Sequence, residues 1–146
     1  MERFFTAGNA SAIFHDLLDE IAGADLSVAN LECPLISQKT PIIKGAGPVL
    51  DADIGCVRGF AASKWTLLNL ANNHSFDHGT SGLQETMHAV RHAGMSVVGA
   101  GLNLHEAQAP YTTQISGQRI VIYAMAEREF SIADEKTPGA NPLDLI

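Results

Sequence analysis

The chain has 146 residues, 46% of them hydrophobic and 17% charged, and 9 lysines and arginines against 16 aspartates and glutamates leave a formal charge of −7. That length suits one domain burying about two thirds of its unfolded surface, and the apolar content argues against long-range disorder. The acidic balance argues against a general binder of nucleic acid or of anionic membrane, while a local anion site built on metal ions or helix ends stays open. The 2 cysteines, Cys33 and Cys56, make neither a disulfide framework nor a paired-thiolate zinc site. They either form one bridge or stay as small buried apolar residues, and spacing does not decide between these. No apolar run approaches the roughly 20 residues needed to span a bilayer. The amino terminus lacks the basic start and continuous apolar stretch of a secretory leader, so the sequence as given reads as soluble.

In chain order, Ser11 precedes Ile13, Phe14, Leu17, Leu18 and Ile21 at helical spacing, with His15, Asp16, Asp19 and Glu20 opposite. This predicts one amphipathic helix ending near Gly23. Residues 25–31 read as a short strand closed by Pro34. Residues 37–48 form a loop of lysines, glycines and prolines, long enough to lie over another part of the molecule. Ile54, Val57, Phe60 and Ala61 predict a second helix capped by Asp51 or Asp53, although Gly55 and Gly59 weaken it. Residues 65–71 are a nearly continuous apolar run, as expected of a central parallel strand. A polar loop follows at 72–79. Leu83, Met87 and Val90 mark the buried face of a third helix, and Gly94 sits where a C-terminal cap belongs. Residues 96–98 form another strand, 106–108 one helical turn, and 111–115 with 119–126 a hairpin around 116–118. Residues 127–146 read as an irregular segment of what is otherwise one domain.

Alternating helices and strands predict an α/β sheet with helices on its faces. Such folds commonly begin with a strand that ends in the site. This chain opens with a helix, which leaves a missing first strand open.

In open α/β sheets, sites form beyond the carboxyl ends of the strands. Two such ends carry polar clusters here. Asn30 and Glu32, two residues apart on an extended segment, share a face. Asn72, Asn73, His74, Asp77 and His78 fall within seven residues, directly after the apolar run. Carboxylate, amide oxygen and imidazole suit Mn²⁺, Fe²⁺ or Zn²⁺, provided the two strands are neighbours. The plainer alternatives are that Asn30 and Glu32 terminate a strand and that the asparagines serve turn chemistry.

Other candidates are weaker. His88 and His92 share a helical face with Glu85, but Ala89 stands where a zinc-protease helix needs its glutamate. Residues 99–101 are not a dinucleotide fingerprint, and Ser75 lacks the flanking glycines of a nucleophile elbow. Cys33 either lines the site or is a structural thiol. Glu127 and Glu129 either face the cleft or sit on a charged turn. Lys39 and Lys44 in the long loop either meet an anionic polymer or are solvated.

Residues 25–35 (DLSVANLECPL) and 70–86 (LANNHSFDHGTSGLQET) resemble the CapA family of bacterial capsule and poly-γ-glutamate synthesis proteins. The resemblance continues through 94–103, 106–107 and 138–144. It implies the central segment of a calcineurin-like metallophosphatase sandwich, with two mixed sheets flanked by helices, truncated at both ends. It also implies a metallophosphatase-type hydrolase centre of up to two divalent metal ions (Mn, Fe or Zn). Its metal residues would be Asn30, Glu32, Asn73, His74 and Asp77. Asn73 and His74 would be catalytic, with His74 steadying the transition state or protonating the leaving group. The opening Gly-Asp strand of the family and its later histidine motifs have no counterpart here. Implied partners are other capsule or polyglutamate synthase subunits, and an anionic polymer or phosphoester substrate. The family is associated with the cell envelope. A non-catalytic accessory of a synthase or export complex, or an inactive truncated fragment, is the alternative.

Overall fold

The computed structural model describes residues 1–38, 40–45, 47–128 and 130–143. Lys39, Glu129 and Asp144 therefore lie outside the described residues. The chain starts with three short helices, α1 (Glu2–Thr6), α2 (Ala10–Phe14) and α3 (Leu17–Gly23). Next come β1 (Val28–Asn30), β2 (Leu35–Ile36) and β3 (Ala52–Asp53), then a 3₁₀ turn at Ile54–Cys56 running into α4 (Val57–Ala62). After β4 (Leu67–Asn69) come the longest helix α5 (Gly79–His92), β5 (Ser96–Val98), β6 (Ala100–Gly101) and α6 (Leu104–Ala107). The hairpin β7 (Tyr111–Ile115) and β8 (Gln118–Ile122) follows, and β9 (Gly139–Ala140) closes the described chain. No described helix is long and apolar enough to cross a membrane.

The fold is mixed α/β, as expected of part of a metallophosphatase-like domain. Its centre is a parallel sheet in the order β1-β4-β5, with Asn30 opposite Asn69 and Asn69 opposite Val98. The apolar run expected to form the central strand does so. Leu67 and Leu68 are completely buried in β4, and the core continues through Leu31, Leu35, Leu70, Leu83, Met87 and Val90. Leu83, Met87 and Val90 lie on one face of α5, which is how a helix of mostly polar residues packs on the sheet. Thr86 completes that face: its hydroxyl accepts from Leu35 N at 2.9 Å and donates to Gly82 O at 2.7 Å. One side chain thus ties β2 to α5.

Three local expectations are corrected. The single helix read from Ser11 to near Gly23 is split at His15, whose φ of +47° breaks the helical path. The break keeps Phe14 against Phe5 and Trp65, with ring centroids 6.1 and 5.7 Å apart, and turns Leu17 outward. The second helix begins with a 3₁₀ turn capped by Asp53, whose Oδ1 accepts from Gly55 N at 2.7 Å. Gly59, which weakened that helix on propensity, makes a socket. A Cβ there would lie 2.5 Å from Phe5 Cδ1 and 2.8 Å from Phe5 Cα, so its absence lets α1 dock on α4. The hairpin turn needs only Ser116 and Gly117, both at positive φ, the backbone of a type I′ turn. After Phe130 the chain is mostly irregular, yet β9 pairs antiparallel with β6.

Candidate functional site

Parallel pairing in register brings the tips of β1 and β4 side by side. Asn30 Oδ1 accepts from Asn69 Nδ2 at 3.2 Å and from Asn72 Nδ2 at 3.3 Å. Asn72 Nδ2 also donates to the Leu31 carbonyl at 3.0 Å, and its Oδ1 accepts from His74 N and Ser75 N, both at 3.0 Å. Asn72 is therefore the clasp between the two tips: one end holds β1, and the other forms the turn that presents His74. Ser75 and Ser131 brace the same turn, donating to Leu70 O at 2.7 Å and Asn72 O at 3.0 Å.

His74 is buried, and its Nδ1 lies 2.7 Å from Asp77 Oδ2. Asp77 is completely buried. Its Oδ2 also accepts from Leu50 N at 2.9 Å, and Lys44 Nζ stands 3.6 Å from its Oδ1. The same ammonium is 3.3 Å from His74 Nδ1. A buried carboxylate needs such a counter-charge, because its lost hydration is otherwise uncompensated. The ammonium comes from the long loop, which does lie over another part of the molecule, and the Leu50 amide from just beyond it. Thr40 hydroxyl donates to His78 O at 3.1 Å, and Ile43 N to Asp77 O at 3.0 Å.

The five residues predicted for the site are distributed as follows. Asn30 and His74 sit on the two clasped tips. Asn73 is half-buried beside them, with no side-chain hydrogen bond among the described residues. Glu32 is exposed and lines a cavity of about 340 Å³ together with Asn30, Cys33, Cys56, Phe5 and Leu50. Asp77 gives its carboxylate to His74, Lys44 and the Leu50 amide. His78 holds the loop through Nδ1, 3.0 Å from Thr40 Oγ1, and its Nε2 is 3.8 Å from Asp51 Oδ1. Both cysteines are free thiols. Burial raises the Cys33 thiol above its usual range and pushes Cys56 up to about 11. His88 and His92 stack at 5.8 Å on the exposed face of α5.

The donor types at the tips suit a divalent ion: one imidazole nitrogen, amide oxygens and a carboxylate. Among the described residues, however, no three His, Cys, Asp or Glu side chains group into a metal site. Asn30 Oδ1 is already engaged twice, so a cation there would displace one amide. The tips thus offer a partial donor set. Sequence reasoning missed Asn69, and it read Lys44 as either meeting an anionic polymer or solvated, whereas its side chain is only 10% exposed and turned to Asp77 and His74. Asn69 lies in the run read simply as apolar strand, and Lys44 reaches His74 from 30 positions away. Asn69 sits level with Asn30 in a parallel pair, and that register was the available signal.

With that geometry in place, comparison with known proteins gives the lineage. Residues 4–144 match the family model described as "Bacterial capsule synthesis protein PGA_cap". The chain belongs to this family. It is 26% identical over 148 residues to the PGA biosynthesis protein CapA of Bacillus subtilis (strain 168), a match covering 99% of this chain and 39% of that protein. It is 27% identical over 132 residues to the capsule biosynthesis protein CapA of Bacillus anthracis, covering 88% of this chain and 32% of that protein. The PGA_cap match takes in the clasp, His74 and the loop that covers Asp77. The chain spans a third to two fifths of the length of these curated relatives.

Proposed function

We propose that this PGA_cap chain serves capsule or poly-γ-glutamate biosynthesis as a CapA-type protein, and that its strand tips belong to a metallophosphatase-type hydrolytic site. One observation carries the proposal: Asn30 and the Asn72–His74 turn, far apart in sequence, are clasped into one tip at the carboxyl end of the parallel sheet. In such folds that end is where ligands bind. His74 through Nε2, with Asn73, Asn30 and Glu32, would hold the ion side of the site, and Asp77 supports the imidazole from behind. A bound Mn²⁺, Fe²⁺ or Zn²⁺ would supply a water with its pKa lowered toward about 7 and positive charge for a phosphoryl or amide oxygen. Held at the ion in this way, His74 would orient the reacting group rather than carry its proton. The substrate class is a phosphoester or an anionic polymer, and the partners are other synthase subunits.

The test is turnover of p-nitrophenyl phosphate and of poly-γ-glutamate with Mn²⁺, together with metal analysis. His74→Ala is expected to cut turnover by about a hundredfold or more, since losing even the outer-shell partner of a metal ligand costs about ten- to a hundredfold. Full turnover in His74→Ala would overturn the hydrolytic reading.

The partial donor set favours a second reading, a non-catalytic accessory of a synthase or export complex. In that case His74→Ala leaves polymer output intact, whereas disrupting the β4 core abolishes it. An inactive fragment is the third reading, and non-cooperative melting of the chain would support it.

A further inference from the structure

Two groups compete for one ring nitrogen of His74. Asp77 Oδ2 lies 2.7 Å from Nδ1, a short charge-assisted distance, and Lys44 Nζ lies 3.3 Å from the same atom. The carboxylate only accepts and the ammonium only donates, so they demand opposite tautomers of a neutral ring. We infer that Asp77 and Lys44 are positioning residues for His74. Asp77 fixes the proton on Nδ1 and leaves Nε2 bare and presented outward. Lys44, carried in by a strap formed by the long loop, is the counter-charge that locks Asp77 in place. The inference rests on the reading of His74 as the working residue of the site and deepens it, because it settles which ring nitrogen is free.

Lys44 lies nearer the ring nitrogen than the carboxylate, and it is the shorter Asp77–Nδ1 contact of 2.7 Å that gives Asp77 the ring proton and leaves the ammonium as counter-charge. Its ammonium also faces Asp77 Oδ1 at 3.6 Å, its side chain is 10% exposed, and Asp77 is fully buried. The strap is pinned on both sides of Lys44. Thr40 Oγ1 donates to His78 O, Ile43 N to Asp77 O and Leu50 N to Asp77 Oδ2. Gly79 (φ +64°) makes the seat, since a Cβ there would collide with Ile43 Cδ1. The Thr40 hydroxyl, the Lys44 ammonium and the backbone amides of Ile43 and Leu50 thus close over the 74–79 turn, and Asp77 meets the closure through both its carboxylate and its carbonyl. Asp77 in this arrangement is committed to the ring and the strap. That is a different role from ligating an ion.

The experiment is long-range ¹H–¹⁵N NMR of the His74 ring in the whole chain, with amide hydrogen exchange of the strap. Wild type is expected to show the Nδ1–H tautomer, and an Nε2–H ring would overturn the inference without any variant. In Asp77→Ala, Lys44 becomes the remaining neighbour of Nδ1, so the tautomer reverses to Nε2–H; retention of Nδ1–H would count against Asp77. In Lys44→Met the Nδ1–H tautomer stays, while the Ile43 and Leu50 amides exchange at least about tenfold faster, and Lys44→Arg restores them. Unchanged exchange in Lys44→Met would overturn the strap. Loss of turnover in His74→Ala tests the functional reading separately, and neither result presupposes the other.

Discussion

Replacing Asn72 by alanine probes the clasp directly. The side chain makes four hydrogen bonds: donors to Asn30 Oδ1 and the Leu31 carbonyl, acceptors for His74 N and Ser75 N. At a net of about 0.5–1.5 kcal/mol each, the sum is about 2–6 kcal/mol. Asn30 is exposed and regains water, so the lower part of that range applies, about 2–3 kcal/mol. For a chain of this size that corresponds to a drop in Tm of roughly 5–10 °C. Thermal and urea unfolding of wild type, Asn72→Ala, Asn30→Ala and the double variant measure the loss and the pairwise term, which should reach about 0.5 kcal/mol or more for residues sharing a bond. The same variant should move the His74 amide resonance strongly. A change in stability under about 0.5 kcal/mol, or a coupling indistinguishable from zero, would refute the claim that Asn72 joins the two tips.

Three further predictions concern the scaffold. Gly59→Ala would gain up to about 1 kcal/mol from helix propensity but collides with the Phe5 backbone, which is expected to cost about 1–3 kcal/mol and to expose α1 amides to exchange; a stabilised variant with protected α1 would contradict the socket. Thr86→Val leaves the buried Leu35 N–H without its acceptor and should cost about 1–3 kcal/mol in urea unfolding, and an unchanged midpoint would count against the β2–α5 tie. The Cys56 thiol, pushed up to about 11 by burial, stays protonated at neutral pH. Its alkylation by iodoacetamide should therefore be slow at pH 8 and keep climbing as pH rises toward 11, because only the thiolate reacts. A rate that levels off near pH 9 would contradict this.

The parts of the fold legible in the sequence are those in which local pattern and tertiary role agree. The run at 65–71 is apolar because β4 is covered on both faces, so the central strand and the polar cluster beyond it could be read from one stretch. The amphipathic face of α5 was legible for the same reason. Elsewhere a distant contact decides. The segment Glu2–Thr6 is too short to show a period, and it is helical because Phe5 has the Gly59 socket and the Phe60 ring, 4.9 Å away, to pack against. The break at His15 serves Phe14's place between Phe5 and Trp65, neither of which is a sequence neighbour. At the site, Asn30 and His74 could be named from residue type, but the clasp depends on the β1–β4 register. Loop length signalled that the 37–48 segment covers something. That its lysine at 44 reaches Asp77 and His74 became visible only in three dimensions.

Divalent-ion binding at the clasped tips is what a hydrolytic site here requires. Substoichiometric Mn²⁺ added to the ¹⁵N-labelled chain should broaden the amides of Asn30, Asn73 and His74 before any others, and His74→Ala should abolish that broadening. Broadening that instead centres on the exposed Asp134–Glu135 turn, or that persists unchanged in His74→Ala, would contradict it.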